Sequence, residues 1–145
     1  MAHLTRRSLL GAGLSFAALG ARFAQAAGSP GLTTHMLDTA GGKPAEGVKI
    51  DFSVYDGSAY KLLKTVTTNA DGRTPAPLLN AEEMKAGKYE LVFYIGEYFA
   101  RQGTVLPEPP FIEKAVIQFG MSDATSHYHV PLLASPWSYT TYRGS

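Results

Sequence analysis

Apolar and polar positions alternate in short runs through most of this chain, and the runs are separated by clusters of Gly, Pro, Asn and Asp. In Val48-Lys49-Ile50-Asp51-Phe52-Ser53-Val54-Tyr55, the residues Val48, Ile50, Phe52 and Val54 fall on one face and Lys49, Asp51 and Ser53 on the other. That period of two is what a half-buried strand requires. The same pattern predicts strands over Leu32 to Leu37, Tyr60 to Thr68, Lys88 to Ile95, Lys114 to Phe119, Ser126 to Leu133 and Trp137 to Arg143, with a further short candidate around Thr74 to Leu78. Asp56-Gly57 reads as a hairpin turn. Thr68 to Pro77 and Val105 to Pro110 read as loops, because glycine and proline there oppose central-strand pairing. Gly96 to Gln102 lacks strict alternation and reads as a short helix or turn. Seven or eight strands with one short helix predict an all-β fold of two packed sheets.

The first 26 residues do not follow this rhythm. Arg6 and Arg7 form a twin-arginine pair, Leu9 to Leu19 form a short run of apolar and small residues, and Ala24-Gln25-Ala26 has the small-x-small form of a signal-peptidase site. An export leader over residues 1–26, followed by one domain over residues 27–145, is expected. Thr5-Arg6-Arg7-Ser8-Leu9-Leu10 matches the twin-arginine pattern, with Leu9 where phenylalanine is commoner. An ordinary secretory signal that carries two arginines is the alternative. Either leads out of the cytoplasm, and a periplasmic location is the expectation. The apolar run is too short to span a bilayer, which takes roughly 20 residues, so a membrane anchor is not expected.

Composition sharpens this picture. The leader holds Arg6, Arg7 and Arg22 and no acid, so its removal leaves ten Lys and Arg against twelve Asp and Glu, and a formal +1 becomes −2. A slightly acidic chain without a basic cluster has no electrostatic footprint for nucleic acid or an anionic membrane surface. Cysteine is absent from the sequence, which excludes thiolate metal sites and thiol nucleophiles. Catalysis, if present, falls to His, Arg, Ser, Tyr or carboxylates.

Beyond the leader there are three histidines: His35, His127 and His129. His127 and His129 lie two apart in a predicted strand, so they share one face, with Tyr128, Val130 and Leu132 on the other. This pair is open to three readings: two ligands of a metal that needs at least one more, a catalytic imidazole, or a plain surface or packing role. His35 sits among apolar and β-branched neighbours, and by itself reads as a satisfied polar residue in a core. Arg73 follows Asp71-Gly72 in a predicted turn, where an arginine is usually solvent-facing. An aromatic, a cation and a small hydroxyl residue in Tyr142-Arg143-Gly144-Ser145 are unusual at a terminus, which is normally frayed.

Taken together, these segments resemble the transthyretin-related 5-hydroxyisourate hydrolases. Leu32-Thr33-Thr34-His35-Met36-Leu37-Asp38-Thr39-Ala40-Gly41-Gly42-Lys43-Pro44-Ala45 is similar to that family's N-terminal signature, with Met36 where valine is frequent. Thr68-Asn69-Ala70-Asp71-Gly72-Arg73-Thr74 resembles its central turn. His127-Tyr128-His129-Val130-Pro131-Leu132-Leu133, Ser135-Pro136 and the terminal Tyr142-Arg143-Gly144-Ser145 resemble its C-terminal signature.

The resemblance implies a transthyretin-like sandwich of eight strands and a homotetramer, in which two dimers meet around a central channel and active sites lie at the dimer–dimer interface. It implies His35, Arg73, His129 and Ser145 as catalytic residues. His35, Arg73, Tyr142, Arg143 and Gly144 are implied to bind the purine-derived substrate, and His127 to support. No cofactor and no metal are implied. The implied reaction is hydrolysis of 5-hydroxyisourate in urate breakdown. The rival from another class is a non-catalytic small-ligand carrier like transthyretin itself, whose chain lacks the terminal Tyr-Arg-Gly-Ser and the catalytic histidines. An exported metal-binding β-module using His127 and His129 is a third reading. The leader is the one departure, because many members of the family remain inside the cell.

Overall fold

The computed structural model describes residues 28–145. The expected leader lies outside the described residues. Eight strands and one helix follow in the order β1 (Gly31–Asp38), β2 (Lys43–Pro44), β3 (Lys49–Tyr55), β4 (Tyr60–Thr67), β5 (Gly87–Phe93), α1 (Ile95–Arg101), β6 (Ala115–Met121), β7 (His127–Ala134) and β8 (Tyr139–Thr141). They form two four-stranded sheets, β2-β1-β7-β8 and β4-β3-β5-β6. This is the predicted all-β sandwich with one short helix. Among the described residues, no helix is long and apolar enough to cross a membrane.

Alternation builds the core from both sheets. Leu32 and Met36 of β1, Val130 and Leu132 of β7, Ile50 and Phe52 of β3, and Leu91 and Phe93 of β5 all turn inward and are buried. The helix adds Ile95, Tyr98 and Phe99 to this core. Ser53, expected on the polar face, is instead buried. The β3–β4 register shifts beside it, but the extra residue is Leu63 of β4, and β3 pairs with β5 without interruption. Ser53 therefore keeps its face and is buried as a small side chain on a strand flanked on both sides.

Three other departures are local. β2 is a two-residue strand that the sequence pattern does not announce, and it exists because Leu37 and Asp38 pair with Pro44 and Lys43. Thr74 to Leu78 is not a strand; only Leu79 beyond it and Arg73 before it make isolated bridges to β1. The expected strand over Trp137 to Arg143 contracts to Tyr139–Thr141.

The strand that carries His35 is tied down at its far end. Asp38 is buried, and its Oδ1 accepts the Gly41 amide at 2.7 Å while Oδ2 accepts the Tyr98 hydroxyl at 3.0 Å. Burial, reinforced by that carboxylate, pushes the Tyr98 phenol up to about 12, so it stays a donor. Helix α1 is thereby fixed against the end of β1.

Candidate active site

β1 and β7 pair in parallel, although about ninety residues separate them, with Gly31 opposite His127, Thr33 opposite His129 and His35 opposite Pro131. Because Leu32, Thr34 and Met36 face the core, Thr33 and His35 emerge on the other face of the sheet. His127 and His129 emerge beside them for the same reason. One register thus gathers all three histidines beyond the leader. His35 Nδ1 lies 2.7 Å from His129 Nε2, and the two rings stack with centroids 4.8 Å apart. His35 is therefore not a core histidine.

The central turn delivers Arg73. Asn69 Oδ1 accepts the Asp71 and Arg73 amides at 3.0 and 3.2 Å, as an Asx turn does. Gly72 holds φ of 70°, and its carbonyl accepts the Met36 amide at 2.9 Å, which sets Arg73 opposite His35 in an isolated bridge. A Cβ on Gly72 would stand 2.5 Å from the Met36 carbonyl oxygen. Gly72→Ala is accordingly expected to cost about 2 kcal/mol or more, from left-handed strain and the broken bridge, lowering the melting temperature by roughly 8 °C. A melting curve that superimposes on the parent's would show that this turn does not clamp β1.

The C-terminal tail reaches the same place along β7. Leu132 pairs with Thr141, and three residues further along each strand His129 bridges Gly144, so the β7–β8 register survives the gap between. Pro131 makes that gap because it has no N–H to offer the ladder; its carbonyl accepts the Thr141 hydroxyl at 2.8 Å instead. The Gly144 amide donates to the His129 carbonyl at 2.7 Å. A Cβ on Gly144 would lie 3.0 Å from His129 Cδ2, so only glycine lets the tail rest against the imidazole without a shift. Gly144 is buried, and Ser145 beyond it is exposed. Arg143 is engaged elsewhere: its guanidinium stacks 4.6 Å over the Tyr128 ring and Nη2 donates to the His127 carbonyl at 3.5 Å. Tyr142 is exposed.

The electrostatics favour neutral imidazoles. Burial, then the Arg73 cation, holds His35 below the ordinary histidine value. For His129, burial comes first, followed by His35, Arg73 and His127, and together they lower it to about 4. Above neutrality both rings keep a lone pair available for a proton. Among the described residues, no group of three or more His, Cys, Asp or Glu side chains is arranged to hold a metal ion.

Thr33 is the residue that sequence reasoning missed. Its hydroxyl lies 2.8 Å from His129 Nδ1 and 3.3 Å from His127 Nε2, and His127 Nδ1 lies 3.3 Å from the Ser29 carbonyl. The available signal was its place two residues before His35, hence on the same face. An open groove of about 1250 Å³ runs alongside, lined among others by Ser29, Thr33, His127, Arg143 and Ser145.

The HIUase/Transthyretin family model matches residues 32–144. The 5-hydroxyisourate hydrolase of Mesorhizobium japonicum is 60% identical over 114 residues, which are 79% of this chain and 91% of that one. The solved structure of Klebsiella pneumoniae 5-hydroxyisourate hydrolase superimposes with a TM-score of 0.65 at 37% identity, covering 80% of this chain and 94% of that one. Transthyretin from Sparus aurata superimposes with a TM-score of 0.68 at 30% identity, covering 78% of this chain and 95% of that one.

Proposed function

This chain belongs to the HIUase/Transthyretin family, and from that premise we propose that it hydrolyses 5-hydroxyisourate, the compound in the names of its bacterial relatives. The product is 2-oxo-4-hydroxy-4-carboxy-5-ureidoimidazoline, formed by opening the ring at the N1–C6 amide. The observation that carries this reading is the His35–His129 pair at 2.7 Å, bracketed by Arg73 and by the tail at Gly144.

Each step of amide opening has a group to serve it. Water must lose a proton as its oxygen bonds to C6, and a neutral imidazole of the His35–His129 pair takes that proton. The carbonyl electron pair moves onto oxygen, where the Arg73 guanidinium can offer two parallel N–H donors to a planar oxo edge. Collapse of the tetrahedral adduct breaks C6–N1, and the protonated imidazole returns its proton to the departing nitrogen. Ser145, with the backbone of Tyr142 to Gly144, closes the pocket and binds ring heteroatoms.

The working form is a homotetramer with the site between subunits. The histidine face points away from the sandwich core, so a second subunit would cover it, and Val116 of β6 and Tyr139 of β8 leave apolar surface exposed on edge strands. A domain without disulfides gains stability from such burial. Residues 1–26 serve as an export leader to the periplasm, a reading supported by Arg6-Arg7, the apolar run and Ala24-Gln25-Ala26.

The test is a coupled assay in which urate oxidase generates 5-hydroxyisourate and its absorbance decay is followed. The decay rate should rise in proportion to added protein. Saturable binding of a small ligand with decay unchanged would instead mark a carrier of the transthyretin kind.

A further inference from the structure

The side chains around His129 form one continuous line: His35 Nδ1 to His129 Nε2 at 2.7 Å, His129 Nδ1 to Thr33 Oγ1 at 2.8 Å, Thr33 Oγ1 to His127 Nε2 at 3.3 Å, and His127 Nδ1 to the Ser29 carbonyl at 3.3 Å. We propose that Thr33 and His127 are positioning residues, which read the direction of this line from the Ser29 carbonyl and thereby leave Nε2 of His35 as the proton-accepting atom. The proposal rests on the hydrolase reading for its catalytic meaning, but the proton positions themselves do not depend on it.

The direction follows from donor and acceptor chemistry alone. A backbone carbonyl can only accept, so His127 must carry its proton on Nδ1. A neutral imidazole has one donor and one acceptor, so His127 Nε2 accepts, and the Thr33 hydroxyl must donate to it. That hydroxyl then has only lone pairs left for His129, whose Nδ1 must be the donor. His129 Nε2 in turn accepts, and the proton between the stacked rings belongs to His35 Nδ1. His35 is left with a bare Nε2. The opposite direction would aim a lone pair of His127 at the Ser29 oxygen, leaving two acceptors face to face with no proton between them.

Thr33 is well suited to the middle of such a line because a hydroxyl is the one small side chain that donates and accepts at once. Being β-branched on a strand, it has a restricted χ1, which holds that hydroxyl toward β7. It also supplies the link between a pair of catalytic imidazoles and a fixed backbone atom, as the outer partners of ligating histidines do elsewhere.

The test reads proton positions directly, by ¹⁵N NMR of ring-labelled histidine in the full chain at pH 8. His35, His129 and His127 are each expected to carry their proton on Nδ1. A proton on Nε2 of His129 or of His127 reverses the line and overturns the proposal, whatever the protein hydrolyses. Thr33→Val removes both links while keeping shape, and is expected to leave His129 as a mixture of tautomers, with kcat lowered about tenfold and KM within twofold. Thr33→Ser should restore both the single tautomer and the rate. A valine variant with an unchanged His129 tautomer would also overturn the assignment, and so would one with unchanged kcat.

Discussion

Replacing His35 with glutamine is expected to lower kcat/KM for 5-hydroxyisourate by between about a hundredfold and ten-thousandfold, the range that a positioned general base contributes. Glutamine fills much of the imidazole's volume and can hydrogen-bond, but it cannot take up a proton near neutrality. His35 lies on the face of β1 that turns away from the core, and the strand is held by Leu32, Met36 and the Asp38 contacts. The variant should therefore melt within a few degrees of the parent, and melting curves with sedimentation establish that the loss is chemical. The coupled urate oxidase assay reads the rate. A His35→Gln protein with kcat/KM within threefold of the parent would remove the imidazole from the reaction and leave the stacked pair as a packing feature.

How much of this was legible in the chain depends on the distance over which each contact acts. The face shared by His127 and His129 follows from a period of two within one strand, and the structure keeps it, with Tyr128, Val130 and Leu132 buried behind. The Asp71-Gly72 turn was likewise local chemistry. His35 was not legible by itself, because its partner is set by the parallel pairing of β1 with β7. Slip that register by one residue and His35 would meet a different face of β7. No local pattern specifies such a pairing, and only the likeness of whole segments to a known family brought His35, Arg73, His129 and the tail together beforehand. Ser53 shows the complementary failure, since alternation along one strand cannot foresee how the strands on either side cover a small polar side chain.

Arg73 separates two effects that a single rate would merge. Arg73→Gln is expected to lower plateau kcat/KM by about a hundredfold to a thousandfold, as loss of an oxyanion donor does. It should also move the acidic limb of the pH profile to higher pH. The sign follows from the neighbours: the Arg73 cation disfavours a second positive charge on His35 and on His129, so its removal raises both, and each imidazole is protonated at a higher pH. Arg73→Lys keeps the charge but gives up the planar fork, and should hold the acidic limb in place while recovering only part of the rate. A glutamine variant whose limb shifts while its plateau rate stays at the parent level would restrict Arg73 to tuning the histidines. The carbonyl oxygen would then need another donor, and the tail offers candidates on this face, since Gly144 rests against His129 and Ser145 follows it.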